Sequence, residues 1–262
     1  MNQPPTQNDG FPTQEQAPLY SRAPQTISVR LPKNRPVVVY TLLVVTIVLF
    51  AAQYVSTYLL GGDILFYYGG KINQFILRGQ LWRFLTPALL HGSVTHLLFN
   101  MYFLYRVGAN LERWYGHKRF LLLYTLGAFA GNTASFLLSS NPSLGSSTAL
   151  FACIAAEGVF VVQNKEFIQG GAKSALSNIL VVIVINLGLG LMPGSNIDNW
   201  GHLGGLVGGA LFAFFGGPKW GVDLNAIPPQ IVDQRTSSQA AVGMFLVLAL
   251  FGAAALLRFL LQ

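Results

Sequence analysis

The chain has 262 residues, of which 52% are hydrophobic and only 10% charged, and its mean hydropathy is +0.49. A water-soluble domain carries roughly 25% charged residues, so this chain has too few to coat a wet surface, and a soluble Rossmann enzyme and a disordered scaffold are both excluded. The net charge of +7 would suit a polyanion, but in a membrane protein Lys and Arg collect in cytoplasmic loops as topology signals, and no nucleic acid is expected. The expected class is all-α, a polytopic membrane helix bundle.

Residues 1–36 read as a disordered cytoplasmic tail, rich in Pro, Gln, Thr and Asn and without apolar periodicity. No short apolar core follows a charged start, so it is not a signal peptide, and Asp9 and Glu15 argue against a transit peptide. Val37 to Leu60 is uncharged and long enough to cross a ~30 Å hydrocarbon core. The uncharged stretch Phe84 to Tyr105 is broken by Pro87 and Gly92, which predicts a helix from Ser93, a good N-cap, to about Gly108. Further spans are expected over Phe120–Leu138, Ser147–Gln163, Ala175–Met192, Trp200–Gly217 and Ala240–Leu257, for seven transmembrane helices in all. The segment Gly61 to His91 carries Phe66, Tyr67, Tyr68, Phe75, Trp82 and Phe84. Aromatics at this density predict a partly helical element lying in the outer headgroup region.

With the N-terminus inside, twelve of the sixteen Lys and Arg fall in inner segments, and Lys71, Arg78, Arg83 and Arg258 fall outside. That bias predicts a cytoplasmic N-terminus and an outer C-terminus. The single cysteine, Cys153, allows no internal disulfide and reads as an inert packing residue.

Ionisable and polar groups inside spans are costly and mark candidate sites. Under this topology Ser147 opens one helix at its outer end, and His202 lies in the first turn of another that also starts outside. His96 and Asn100, four apart, share a face near the outer end of a third. Four polar groups from three helices therefore meet at one depth. A serine hydroxyl becomes a nucleophile beside a base, usually histidine. Acyl transfer also needs donors for the developing oxyanion, which Asn100, His96 and the Ser147 N–H offer. Around His202, Gly201, Gly204, Gly205, Gly208 and Gly209 have the small-residue spacing that lets helices approach closely.

These residues lie in motifs that resemble the rhomboid intramembrane serine proteases: Trp82-Arg83, His96-Leu97-Leu98-Phe99-Asn100, Gly108-Ala109-Asn110-Leu111-Glu112 running to Tyr115-Gly116, Gly145-Ser146-Ser147, and His202-Leu203-Gly204-Gly205. The resemblance implies a six-helix protease core over 37–217. Residues 218–262 would then form a linker and a seventh transmembrane helix, a 6+1 arrangement. It implies Ser147 as nucleophile, His202 as base, and His96, Asn100 and the Ser147 N–H as the oxyanion site. Trp82, Arg83, Glu112, Gly145 and Gly205 match structural positions of the motifs. The implied partners are transmembrane protein substrates and membrane lipid, with no metal or organic cofactor. Substrate would come in sideways past the fifth helix, beneath a movable cap at Met192-Pro193-Gly194. A bacterial plasma membrane is the expected location, with a plastid membrane the alternative.

The family's nucleophile motif is Gly-x-Ser-Gly, whereas this chain has Thr148 in the last place. A β-branched residue there is expected to crowd the sixth helix and lengthen the Ser147–His202 bond. Asp198, four residues before His202, could complete a triad, and Glu157 sits mid-span as a possible proton relay. His91 and His117 read as loop residues with no partner at ligand spacing. No His-Glu-x-x-His and no phosphate-binding Gly-Lys-Ser/Thr loop occurs, so neither a zinc protease nor ATP-driven transport is expected. The rival readings are a rhomboid-like pseudoprotease that binds transmembrane clients and a small channel. The dyad argues against the first, and polar groups confined to one depth argue against the second.

Overall fold

The computed structural model describes Met1 and residues 35–168 and 170–261. The tail expected over 1–36 lies outside the described residues except for Met1, Arg35 and Pro36. Among the described residues nine α-helices follow: α1 (Val37–Leu60), α2 (Ile64–Gly69), α3 (Asn73–Leu77), α4 (Val94–Phe103), α5 (Ala109–Leu138), α6 (Ser147–Gln163), α7 (Ala172–Gly190), α8 (Asn199–Gly216) and α9 (Ser237–Leu260). Each of the seven expected apolar stretches carries a helix. Among the described residues, α1, α7, α9 and the continuous 94–138 segment are long and apolar enough to cross a membrane, while α6 is shorter. The chain is thus an all-α polytopic membrane protein.

Two boundaries differ from expectation. The helix starting at Ser93 does not stop at Gly108. It passes through a π-helical turn, Leu104–Gly108, straight into α5. The reversal falls at Gly116, whose φ of 73° only glycine adopts cheaply. His117 accordingly sits in the helix after this kink and not in a free loop. The linker after α8 also contains a small antiparallel hairpin, β1 (Trp220–Asp223) with β2 (Gln230–Asp233).

Helices α5, α6 and α8 form the centre, and glycines set how closely they approach. A Cβ on Gly205 would lie 2.1 Å from the Thr148 carbonyl oxygen, and one on Gly209 would lie 2.3 Å from that of Ala152. One ridge of α8 therefore rests on the α6 backbone. The adjacent ridge, Gly204 and Gly208, faces α5, where added Cβ atoms would lie 2.4 Å from those of Ala134 and Ala130. In lipid, where no hydrophobic effect draws helices together, such backbone contact supplies the packing energy. Helix α9 covers α8 and α5. Helix α7 is the exception, since none of its residues is buried. Its end is tied to α8 by Asn199, whose Nδ2 donates to the Leu187 carbonyl at 3.0 Å.

Buried charges fasten the periphery. The fully buried Glu112 accepts from the backbone N–H groups of Val38 and Val39 at 2.9 and 2.8 Å. These are unpaired donors at the start of α1, where the helix dipole favours an anion. His117 Nδ1 lies 2.5 Å from the same carboxylate. The segment between α1 and α4 is partly helical, with α2, α3 and two 3₁₀ turns at Leu81–Phe84 and Thr86–Leu89. It folds around Arg83, which is 1% exposed. The guanidinium donates to the Gly70 and Tyr67 carbonyls at 2.6 Å and to Gln80 Oε1 at 2.8 Å, and lies over the Phe75 ring. Trp82 donates to the Tyr68 carbonyl at 3.0 Å and leaves its ring half exposed. Lys71 is fully buried, donating to the Ser139 and Asn141 carbonyls, and burial pulls its pKa from 10.5 to about 8.

Candidate active site

Ser147 begins α6, so its backbone N–H belongs to the unpaired first turn of that helix. The chain reaches it through Gly145, whose φ is +129°. A Cβ on Gly145 would lie 2.6 Å from His96 Cε1 and 2.7 Å from Nε2, and 3.7 Å from Ser147 Oγ. Both the backbone angle and the space therefore require glycine, and the His96 ring is seated directly against the turn that presents Ser147. Helix α8 brings in His202. Its Nε2 lies 2.9 Å from Ser147 Oγ, and its ring stacks on Phe151 at 4.1 Å with an interplanar angle of 11°. Residues 55 positions apart meet because Gly205, one turn after His202, lets α8 settle onto α6.

Thr148 does not lengthen this contact. Its side chain fills space left by Gly131 and Gly201, where Cβ atoms would meet Thr148 at 2.5 and 3.0 Å. The crowding expected from the sequence is absorbed by glycines on the neighbouring helices. Asn100 is buried one turn below His96, and its Nδ2 donates to the His96 carbonyl at 2.8 Å. One amide N–H is spent there, which leaves the second.

Asp198 does not form a triad contact. One carboxylate oxygen accepts from the Gly201 N–H at 2.9 Å, capping α8, and the other accepts from Ser135 Oγ. His202 Nδ1 is buried without a hydrogen-bond partner among the described residues. Glu157 lies ten positions along α6 from Ser147, about 15 Å away at 1.5 Å per residue, outside this cluster. Cys153 is buried and free. Among the described residues no three of His, Cys, Asp and Glu converge as metal ligands.

His91 was missed. It is 1% exposed and touches the site twice: its Nε2 lies 3.3 Å from Ser146 Oγ and its ring meets His96 edge-on at 5.1 Å. Its backbone N–H donates to Gln53 Oε1 at 3.0 Å, and Gln53 Nε2 donates to Asp63 at 2.7 Å. Burial, with His96 beside it, pushes the His91 pKa down to about 3, so the ring is neutral. The available signal was its position five residues before His96 and two before the Ser93 N-cap.

A polytopic helical membrane protein with a serine at a helix N-terminus, hydrogen-bonded to a histidine from a glycine-lined neighbour, defines the class. The family profile of the Rhomboid domain matches residues 78–219, and the chain belongs to the rhomboid family. It is 39% identical over 189 residues to "Rhomboid protease GluP" of Bacillus subtilis (strain 168), covering 72% of this chain and 36% of that protein. It is 38% identical over 148 residues to "RHOMBOID-like protein 9, chloroplastic" of Arabidopsis thaliana, covering 56% and 34%. Against "Rhomboid-like protease 1" of Toxoplasma gondii it is 31% identical over 188 residues, covering 71% and 62%. The chain thus spans about a third of the length of the first two relatives.

Proposed function

We propose that this protein is an intramembrane serine endopeptidase acting on transmembrane protein substrates, with Ser147 and His202 as a catalytic dyad. The observation that carries the reading is the 2.9 Å contact between Ser147 Oγ and His202 Nε2. As Oγ attacks the scissile carbonyl carbon, Nε2 takes the hydroxyl proton. The tetrahedral oxyanion is met by the Ser147 N–H at the positive end of α6, the His96 ring and the remaining Asn100 N–H. His202 returns the proton to the departing amine. A water, deprotonated by the same nitrogen, then hydrolyses the acyl-enzyme. Gly145 holds the turn that seats His96, and Gly205 holds α8 against α6. Trp82, Arg83 and Glu112 act structurally.

The charge bias supports an N-terminus inside and a C-terminus outside, so that cleavage falls near the outer leaflet of a bacterial plasma membrane. Residues 37–217 form the protease core, and 218–262 the linker and seventh span. The unburied α7 is the natural side for a substrate to approach. Labelling of the purified protein by a fluorophosphonate probe, compared with Ser147→Ala, tests the reading. Labelling in the parent alone is expected. A parent that stays unlabelled, or a Ser147→Ala variant that still cleaves, overturns it.

A further inference from the structure

A cavity of about 500 Å3, open along one side, lies between α6, α7 and α8, lined by Ala155, Gly158, Leu176, Ile179, Ala210 and Phe214 among others. These positions lie eight or more residues beyond Ser147 on α6, and Phe214 lies twelve beyond His202 on α8. The cavity therefore runs from Leu206, one turn beyond His202, towards the end of the bundle away from the dyad. It plays no part in the chemistry above. On α7, Leu176, Ile179 and Ile183 line it. That stripe extends over about 10 Å at 1.5 Å per residue, which lies within one leaflet of a ~30 Å core. The wall is loose: a Cβ on Gly158 would find Ile179 no nearer than 3.9 Å.

The mouth at the dyad-distal surface carries cations. Lys173 lies three residues before Leu176, on the same face of α7. Lys165 follows Gln163, which lines the cavity, by two residues. The Arg235 guanidinium donates to the carbonyls of Phe215 and Phe214 at 2.7 and 2.9 Å, and Gln163 donates to the same Phe214 carbonyl at 3.0 Å. Two acids lie beside them: Glu166 follows Lys165, and Asp233, which is paired with Arg119, accepts from the Arg235 backbone N–H at 2.9 Å. Among the described residues none of these three cations is in an ion pair with a carboxylate, and Arg235 Nε is a buried donor without a partner.

An apolar cavity at acyl-chain depth, under a rim of net positive charge, matches one ligand chemistry. We infer that this cavity is a binding site for an anionic phospholipid of the leaflet opposite the dyad. One acyl chain would lie between α6, α7 and α8, and the phosphate would lie among Lys165, Lys173 and Arg235. The lipid fills a void that helix packing leaves open, and it supplies the contact that α7 lacks.

Native mass spectrometry of the full chain, titrated with phosphatidylglycerol or phosphatidylcholine of identical acyl chains, tests this. A cation near an anionic headgroup contributes about fivefold in binding. The parent is expected to retain one phosphatidylglycerol in clear preference to phosphatidylcholine. Lys165→Gln with Lys173→Gln, both exposed, should reduce that preference about twenty-five-fold. Gly158→Leu, and separately Ala155→Leu, should abolish retention of that one lipid by filling the cavity. Equal retention of the two lipids by the parent overturns the proposal, as does an unchanged preference in the double lysine variant. So does undiminished retention in a folded cavity variant, or recovery of a transmembrane peptide in place of lipid. If both cavity variants fail to fold, the lysine variant alone decides.

Discussion

Substituting Gly205 with alanine tests whether helix approach sets the proposed dyad. The new Cβ would lie 2.1 Å from the Thr148 carbonyl oxygen, whereas ordinary contact begins at 3.4 Å. The obstruction is backbone, so no side chain can swing aside. Helix α8 must retreat by about 1.3 Å, taking His202 with it, because the two residues lie within one turn. The Ser147–His202 distance then grows from 2.9 Å to about 4 Å, beyond hydrogen-bond reach. Misplacement by about 1 Å costs on the order of 10²-fold in rate, and overpacking of this kind destabilises by about 1–3 kcal/mol. Cleavage of a reporter transmembrane substrate in proteoliposomes is the assay, with thermal unfolding measured on the same preparation. Gly252→Ala on α9, where a Cβ meets nothing within 4 Å, is expected to match the parent. A folded Gly205→Ala protein that cleaves within about threefold of the parent rate would refute the claim that glycine contact positions His202.

Four other substitutions or conditions probe different parts of the molecule. Asn100→Ala is expected to lower kcat on the order of 10²-fold if its free N–H meets the oxyanion, and steady-state kinetics on the reporter substrate reads this directly. Thr148→Gly is expected to leave the rate no higher and to lower stability by about 1 kcal/mol, since Gly131 and Gly201 already make room for the threonine; a faster variant in the same assay would show that Thr148 does hold the helices apart. Glu112→Gln should lower stability by about 1–2 kcal/mol by removing the anion from the first turn of α1, seen as a lower unfolding temperature in detergent. Because His91 has a pKa of about 3 when folded and 6.5 in the unfolded chain, the unfolded state binds the extra proton between those values. Stability from this residue is therefore full above pH 6.5 and declines as pH falls towards 3; His91→Gln should flatten that part of the stability profile.

The positions of the seven spans were legible in the sequence, because a bilayer demands long apolar runs and helices that satisfy their own backbone. The shared depth of His96, Asn100, Ser147 and His202 followed from helix starts and topology alone, and the glycine spacing around His202 announced close contact. Other features had no local signal. The turn at Gly116 in place of Gly108 depends on a π-helical turn that periodicity does not encode. Gly108 stays helical, and it is packed tightly: a Cβ there would lie 3.0–3.3 Å from Leu104, Val39 and Phe120. Glu112 reaches Val38 and Val39 across more than 70 residues, and His91 reaches Ser146 across 55. Asp198 has triad spacing from His202 in the sequence, but its oxygens are occupied by Ser135 Oγ and the Gly201 N–H. Apolar periodicity along a chain records which face of a helix is buried. It does not record which distant polar group will meet which, because that depends on how far glycine ridges let backbones approach, and a shift of an ångström redirects a hydrogen bond.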